Sequence, residues 1–196
     1  MKSFSLCMCY ALLALVLAGG CQQDPIPPQV GPGDFDLLHY DGSNLTAPRL
    51  PGNTYEAGAM FPAAEVARFE GRDLIEIQFF ILNAPKSCTV KLYKGTFQGE
   101  PNELIFSESV TNVLEANKWN YLELDTPIKL EAADLWICVE FSHDGTQATL
   151  GCDPGPAHEN GDWLFDEADG NWASLRSRTG SQISINWNIR GRIAPQ

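Results

Sequence analysis

Short runs of alternating apolar and polar residues limit the possible folds of this chain more than any other feature. Because successive side chains of a β-strand point to opposite faces of its sheet, alternation of this kind predicts half-buried strands. Turn residues such as Gly, Pro, Asn and Asp separate the runs. The clearest runs are LIEIQFFI (74–81), CTVKLY (88–93), WNYLELD (119–125), DLWICVEF (134–141) and ISINWNIRG (183–191).

Two of these runs carry the strongest prediction of core side chains. In each of them one face is apolar and the other mainly polar, so the apolar face should pack inward. The predicted core faces are Ile75, Ile77, Phe79 and Ile81 in the first run, and Ile183, Ile185, Trp187 and Ile189 in the last.

Trp136 falls on the face of its run opposite the aliphatic row, together with Cys138 and Glu140. A tryptophan in that position is either covered by a loop or left exposed as a platform. The segment CDPGPAHENGDW (152–163) has the length and the Pro and Gly content to fold over it. We predict that Trp136 is covered.

The number and length of the runs predict the fold class. Eight to ten short strands, with weak helical periodicity only at PAAEVARF (62–69), predict an all-β domain. We expect an antiparallel two-sheet sandwich that is jelly-roll-like. An immunoglobulin-type sandwich is the alternative, but the expected Cys–Trp–Cys spacing is missing.

The N-terminus predicts export and lipidation. Residues 1–20 combine a basic Lys2, an apolar stretch too short to span a bilayer, and small residues before Cys21. This order is typical of a lipoprotein signal peptide that is cleaved before Cys21, whose thiol then carries the lipid. An ordinary secretory signal is the alternative. Residues 21–34 form a Pro- and Gly-rich linker, and the β-sandwich domain occupies 35–196 and begins near Phe35 or Leu37.

Charge excludes one class of partner. The net charge is −12, and removal of residues 1–20 takes away Lys2 and makes the chain more negative by one. Nucleic acids and anionic lipid headgroups would repel such a domain. The lipid on Cys21, rather than a basic patch, is therefore expected to hold the protein at its membrane.

Three of the six cysteines lie beyond Cys21, and an odd number permits at most one internal disulfide. The segment FSHDGTQ (141–147) predicts a hairpin turn at its Asp-Gly pair. A three-residue loop would set Cys138 opposite Cys152, whereas a two-residue loop would put them on opposite faces. We predict a Cys138–Cys152 disulfide; the alternative is a set of buried thiols at Cys88, Cys138 and Cys152.

The segment GDWLFDEADGNW (161–172) holds two tryptophans and four acidic residues. Its simplest interpretation is a hairpin in which DWLF and WASLRSR are strands and DEADGN is the turn. The alternative is a calcium site, because calcium takes six to eight oxygen ligands. Asp166, Glu167 and Asp169 would begin it, joined by Asp153 or Asp162. The spacing does not match an EF-hand loop, and we expect no cofactor.

The same segment suggests a sugar-binding site. A pyranose ring stacks on an exposed aromatic ring, and planar polar side chains bond its hydroxyls. The predicted ligand-binding residues are Trp163, Trp172, Asn171 and Arg176. The alternative is that the tryptophans pack inside the sandwich.

Catalysis has little support in the sequence. The histidines His39, His143 and His158 lie far apart, and the motifs of serine hydrolases, zinc proteases and phosphate-binding loops are missing. A glycosidase needs only two suitably spaced carboxylates, so a small hydrolase stays an alternative. We predict no enzyme activity.

A family resemblance runs through most of the domain. The segments YEAGAMFP (55–62), LIEIQFFI, WNYLELDTPI (119–128), DLWICVEF and NWNIRG (186–191) resemble β-sandwich modules of surface and secreted proteins of Bacteroidota. The resemblance implies a non-catalytic module for adhesion or carbohydrate binding. CQQD (21–24) is similar to the signals that send lipoproteins of these bacteria to the cell exterior.

Together these observations predict an outer-membrane lipoprotein, exposed at the cell surface, whose single domain binds an extracellular ligand such as a glycan. The alternatives are a structural or assembly subunit that binds an envelope protein and a small hydrolase.

Overall fold

The computed structural model describes residues 37–195. The predicted signal peptide, the lipidation site at Cys21, the linker and Phe35 lie outside these residues. The strands are β1 (Leu37–Leu38), β2 (Arg49–Leu50), β3 (Asn53–Phe61), β4 (Asp73–Ile81), β5 (Ser87–Phe97), β6 (Glu100–Ser109), β7 (Lys118–Lys129), β8 (Leu135–His143), β9 (Gln147–Ala148), β10 (Trp163–Asp166), β11 (Asn171–Ser174) and β12 (Ile189–Ile193).

Ten of the strands form two antiparallel sheets, and β2 and β9 form a separate two-stranded sheet. The six-stranded sheet has the order β11-β10-β3-β8-β5-β6, and the four-stranded sheet the order β1-β12-β4-β7. The chain passes repeatedly from one sheet to the other, because β3, β5, β6 and β8 belong to the first sheet while β4, β7 and β12 belong to the second. The predicted all-β, jelly-roll-like sandwich of two open sheets is confirmed.

Helices are short in the described range. Helix α1 (Ala63–Val66) runs directly into a 3₁₀ turn (Ala67–Phe69), as predicted for residues 62–69, and α2 (Leu175–Arg178) follows β11. Val66, Phe69 and Leu175 anchor these turns in the core. No helix between residues 37 and 195 has the length and apolar character needed to span a bilayer.

The core lies between the two sheets, and in β4 it follows the predicted alternation with one correction. Ile77, Phe79 and Ile81 are buried as predicted, but Ile75 is only half-buried and Leu74 takes the core position instead. A register shift between Leu74 and Glu76, where β4 pairs with β7, explains the difference. A β-bulge adds a residue to one strand and exchanges its faces.

The run 183–191 is a strand only at its end, because β12 begins at Ile189. Ile185, Trp187 and Ile189 are buried as predicted, whereas Ile183 is half-buried. The opposite face is also buried at its two asparagines, for which the alternation predicted exposure. The Asn186 NH2 group donates to Asp153 and the Asn188 NH2 group donates to Asp41, so buried carboxylates pair with both amide donors.

The predicted Cys138–Cys152 disulfide is wrong, since Cys88, Cys138 and Cys152 are free and buried. After β8 the chain does not return along that strand: β9 pairs with β2 instead. Cys152 consequently lies opposite Thr46 and Trp187, whereas Cys138 lies opposite Gly58 and Lys91. Burial raises the pKa of the Cys88 and Cys152 thiols to about 12 and that of Cys138 well above its ordinary value.

Candidate functional site

The segment 163–174 is a hairpin at one edge of the six-stranded sheet, as predicted. Strand β10 pairs with β3 on one side and with β11 on the other. The turn between them contains Gly170, whose φ of +67° is a conformation that glycine adopts without strain. The returning strand ends at Ser174, where the chain enters α2 rather than continuing as the predicted strand to residue 178.

Four aromatic rings form a cluster, which we call the aromatic patch, on the outer face of this sheet. Trp136 is its floor and is 0% exposed. The rings of Trp163 and Trp172 pack against it with centroid distances of 5.4 and 5.5 Å, and Phe165 packs on Trp172 at 5.9 Å. The predicted cover of Trp136 is confirmed, but it comes from this hairpin and includes only the last residue of segment 152–163.

The outer rings of the patch are only partly covered. Trp163, Phe165 and Trp172 are half-buried, so each presents part of its surface to solvent. Gly58 lies beneath them: a Cβ there would lie 2.9 Å from Cys138 Sγ and 3.5 Å from the Trp172 ring. The patch therefore requires glycine at this position. Its rings are held by the strands beneath them and by one another.

A cluster of two acids and one base, which we call the charged cluster, borders the aromatic patch. Glu56 and Glu140 are directly opposite each other on β3 and β8. Lys91 on β5 lies between them, with its Nζ 2.9 Å from Glu56 and 2.5 Å from Glu140. Because Glu56 is only 7% exposed, the lysine neutralises a carboxylate that is largely withdrawn from water.

The pKa shifts around this cluster follow from burial and charge. Burial lowers the pKa of Lys91, but the hydrogen bonds to Glu140 and Glu56 outweigh it and raise the pKa overall. Burial, together with the charge of Glu56, raises the pKa of the neighbouring Tyr93 far above its ordinary value. Lys91 therefore stays charged and Tyr93 stays neutral at any physiological pH.

The structure brings together only some of the predicted sugar-binding residues. Trp163 and Trp172 meet over Trp136. Asn171 adjoins Trp172 on the exposed turn, where its amide donates to the carbonyl of Asp169 at 2.7 Å. The guanidinium of Arg176 is instead directed at the Ala157 carbonyl, 3.3 Å away, and at the carboxylate of Asp162, 3.9 Å away.

Sequence reasoning missed the charged cluster. The alternation does place Lys91 and Glu140 on the polar sides of their runs, and this is the only feature of the sequence that pointed to the cluster. Their meeting depends on the strand order β3-β8-β5, and Glu56 lies in a run that was not recognised as a strand. Local patterns do not encode such long-range pairing.

Two of the three acidic residues that would begin the calcium site, Asp166 and Asp169, are engaged by donors of the protein itself. Asp166 accepts the backbone N–H of Ala168 at 2.9 Å, and Asp169 accepts that of Asn171 at 3.0 Å and pairs with Arg178 at 2.6 Å. Glu167 is exposed. Among residues 37–195, no three His, Cys, Asp or Glu side chains converge as a metal site would require. These contacts account for the turn without an ion, and calcium binding stays an untested alternative.

Asp153 and Asp162 are both buried but differ in how their oxygens are satisfied. The carboxylate of Asp162 accepts the Arg176 backbone N–H, and its Oδ1 is a buried atom without a hydrogen bond. Burial raises the pKa of Asp162. The carboxylate of Asp153, in contrast, accepts four N–H groups, those of the Gly42, Gly155 and Asn186 backbone and the Asn186 amide.

This difference predicts opposite effects of two amide substitutions. Asp153→Asn should cost about 3 kcal/mol, because an NH2 group would then face buried donors. Asp162→Asn should leave the protein at least as stable as the wild type at pH 7, because it removes a poorly solvated charge. Urea unfolding of both variants at neutral and acidic pH measures this.

The pH dependence provides the control. A carboxyl whose pKa is raised in the folded state favours folding below the ordinary value, about 3.9, and loses this contribution as the pH rises through the folded value. Any advantage of Asp162→Asn should therefore vanish below about pH 4. A variant that is destabilised as strongly as Asp153→Asn would contradict the assignment.

Comparison with known proteins supports the fold alone. No protein-family model and no curated protein matches the chain. Among solved structures, the chain is similar to a clostridial cysteine protease, Cwp84, after propeptide cleavage, with a TM-score of 0.56 and 11% identity over 82% of this chain and 41% of that one. It is also similar to the cysteine protease and lectin-like domains of Cwp84, a surface layer associated protein of Clostridium difficile, with a TM-score of 0.51 and 11% identity over 80% of this chain and 37% of that one. The chain thus spans about two fifths of each of these structures.

Proposed function

We propose that this protein is a cell-surface lipoprotein whose β-sandwich binds a glycan without chemically altering it, through the aromatic patch and the charged cluster. The observation that carries the proposal is the placement of two half-exposed indole rings, Trp163 and Trp172, on a buried third, Trp136. Rings fixed in this way lose little conformational freedom when a ligand stacks on them.

The surroundings of the rings suit a sugar. Lys91 and Glu140 lie on the same sheet face as the rings, and Asn171 lies at the tip of the hairpin. They provide hydrogen-bond donors and acceptors for hydroxyl groups beside apolar ring surface, the combination that small-molecule sites use. The net charge of −12 favours a neutral glycan over an acidic one.

Location at the cell surface is part of the proposal. It is supported by the lipoprotein-type sequence that ends at Cys21 and by the Pro- and Gly-rich linker that follows. The similar Cwp84 structure is described as surface layer associated and as containing lectin-like domains, which agrees with an extracellular binding module. We expect the outer membrane to hold the lipid, with the domain facing outward.

The first test is binding of the purified full-length chain to a panel of soluble neutral polysaccharides in affinity electrophoresis. We expect Trp163→Ala and Trp172→Ala each to weaken binding at least tenfold, which corresponds to about 1.4 kcal/mol. Leu45→Ala is the control, because Leu45 is an exposed apolar side chain (65%) that lies outside the patch. Wild-type protein that binds none of the polysaccharides would contradict the proposal.

A second candidate function, glycan hydrolysis, is favoured by one observation. The two Lys91 Nζ distances show that the nearest Glu56 and Glu140 oxygens are no more than about 5.4 Å apart, so they lie within the ~5–5.5 Å reach of the carboxyl pair in retaining glycosidases. Lys91 neutralises both groups and Glu56 is nearly inaccessible, which favours binding over hydrolysis. The three cysteines of the described range are also unsuited to nucleophilic catalysis, because burial raises their pKa. Release of reducing sugar that disappears in Glu140→Gln would support the hydrolase.

An envelope protein is the remaining alternative ligand. Stoichiometric co-purification of one protein with the wild type, and its loss in Trp172→Ala without any change in polysaccharide binding, would favour a structural or assembly role.

A further inference from the structure

The opposite side of the sandwich carries a second arrangement of aromatic and polar side chains, which we call the β7 face. On the outer surface of the four-stranded sheet, Tyr121 of β7, Gln78 of β4 and Arg190 of β12 lie side by side in one cross-strand row. Trp119 and Phe80 form the next row. These side chains share no strand with the aromatic patch.

Neighbouring groups fix most of the β7 face. The guanidinium of Arg190 lies over the Trp119 ring, 4.2 Å from its centroid, while its Nε donates to both oxygens of the buried Asp41 at 2.9 and 3.0 Å. The Phe80 ring meets Trp119 edge-on at 5.9 Å. Trp119 is thereby oriented before any ligand arrives.

Tyr121 differs from these neighbours because it is 62% exposed although it lies within a 12-residue strand. It also borders a recess of about 210 Å³ along the free edge of β7, whose wall includes Trp119, Leu114 and Glu115. This volume is below the ~300 Å³ at which sites for drug-sized ligands begin. The recess is therefore suited to a single ring of a larger molecule.

We propose that the β7 face is a second glycan-binding site, which takes one pyranose unit of a neutral polysaccharide by stacking on Tyr121. Hydroxyl groups of the sugar would bond the Gln78 amide, which also donates to Glu76, and the Glu115 carboxylate, which also pairs with Lys118. The ligand class is that of the proposed function, but the site is separate and is tested by its own variants.

Charge and area select this ligand over others. Arg190 is already paired with Asp41, and Arg192, in the adjoining row of β12, is paired with Glu76, so little charge is left to attract an acidic glycan. A stable protein interface buries about 800 Å² per partner around an apolar centre. The β7 face exposes one tyrosine ring within a polar row, which matches ring stacking better than protein docking.

Two sites on opposite faces would let one molecule bridge two polysaccharide chains. In a turbidity titration, the full-length chain should therefore precipitate a soluble neutral polysaccharide that it binds. Turbidity should be highest where the number of protein sites equals the number of binding positions on the polysaccharide. Tyr121→Ala should abolish precipitation but keep at least one third of the electrophoretic retardation. Tyr121→Phe, which retains the ring, should behave as the wild type.

The variants separate failure of this proposal from failure of the proposed function. Trp172→Ala should also abolish precipitation, and the Trp172→Ala, Tyr121→Ala double variant should lose retardation altogether. If Tyr121→Ala precipitates the polysaccharide as the wild type does, the second site is wrong while the first stands. Wild-type protein that binds no polysaccharide overturns both, and a protein partner lost only in Tyr121→Ala would overturn the glycan assignment of the β7 face. Unchanged melting temperature of Tyr121→Ala is the folding control, because the side chain is mostly exposed.

Discussion

Replacement of Trp136 by alanine should lower the free energy of unfolding by about 4 kcal/mol and loosen both outer rings of the aromatic patch. The side chain is fully buried, and its removal leaves a large cavity that a sheet cannot close. It also supports Trp163 and Trp172 and donates its indole N–H to Thr96 Oγ1 at 3.0 Å. Urea unfolding measures the loss of stability, and near-ultraviolet circular dichroism measures the loss of fixed ring geometry.

A matched substitution on the same patch distinguishes the floor from the rings above it. Trp172→Ala should cost less than half as much stability as Trp136→Ala, because Trp172 is half-exposed. Both variants should weaken polysaccharide binding. A Trp136→Ala variant that remains as stable as the wild type, or that keeps the near-ultraviolet signal of the patch, would show that the outer rings do not depend on Trp136.

Replacement of Lys91 by methionine should cost about 3 kcal/mol, although methionine preserves much of the aliphatic chain. The change leaves Glu56 and Glu140 opposite each other with no cation between them, and Glu56 is buried. Removal of one partner from a buried charge pair costs about 3–5 kcal/mol, and the partial exposure of Glu140 places the expected value at the lower limit. Chemical unfolding at pH 7 is the measurement.

Three measurements test whether the loss of stability in Lys91→Met comes from the unpaired glutamates. Lys86→Met breaks an ion pair whose side chains are 67% and 82% exposed, so it should cost less than about 1 kcal/mol. When Glu56→Gln is added to Lys91→Met, it should restore most of the lost stability, because it removes the repulsion between the two carboxylates. Lys91→Met should also become more stable relative to the wild type as the pH falls through the carboxylate range, where protonation of the glutamates favours the folded state. Equal losses for Lys91→Met and Lys86→Met would contradict the assigned role.

The stability of the wild type should depend on the charge of Lys91 at alkaline pH. Because the pKa of Lys91 is raised in the folded state, the ion cluster stabilises the protein fully below the ordinary lysine value of about 10.4. This contribution is lost only as the pH rises through the raised value.

Much of the fold could be predicted because alternation is a local property of the sequence. Residues 134–141 and 88–93 form strands where the pattern predicts them, and the helical turn at 62–69 is also present. The errors arise where distant partners decide the outcome. The bulge at Leu74 depends on the pairing with β7, and the separation of Cys138 from Cys152 depends on the pairing of β9 with β2.

In the candidate site, too, local features could be predicted from the sequence and long-range contacts could not. The hairpin that carries Trp163 and Trp172 was predictable from its turn residues, whereas the direction of Arg176 depends on the buried carboxylate of Asp162. The charged cluster combines residues from three strands that are far apart in the chain. Its recognition required the strand order, which two-residue periodicity does not contain.

The three buried thiols have a practical consequence for handling the protein. Since no sulfur–sulfur bond holds residues 37–195 together, the sandwich should fold equally well in a reducing and in an oxidising compartment. Production in a bacterial cytoplasm therefore needs neither an oxidising strain nor a disulfide isomerase for this part of the chain. Thiol reagents that modify only accessible thiolates should leave the native domain unlabelled.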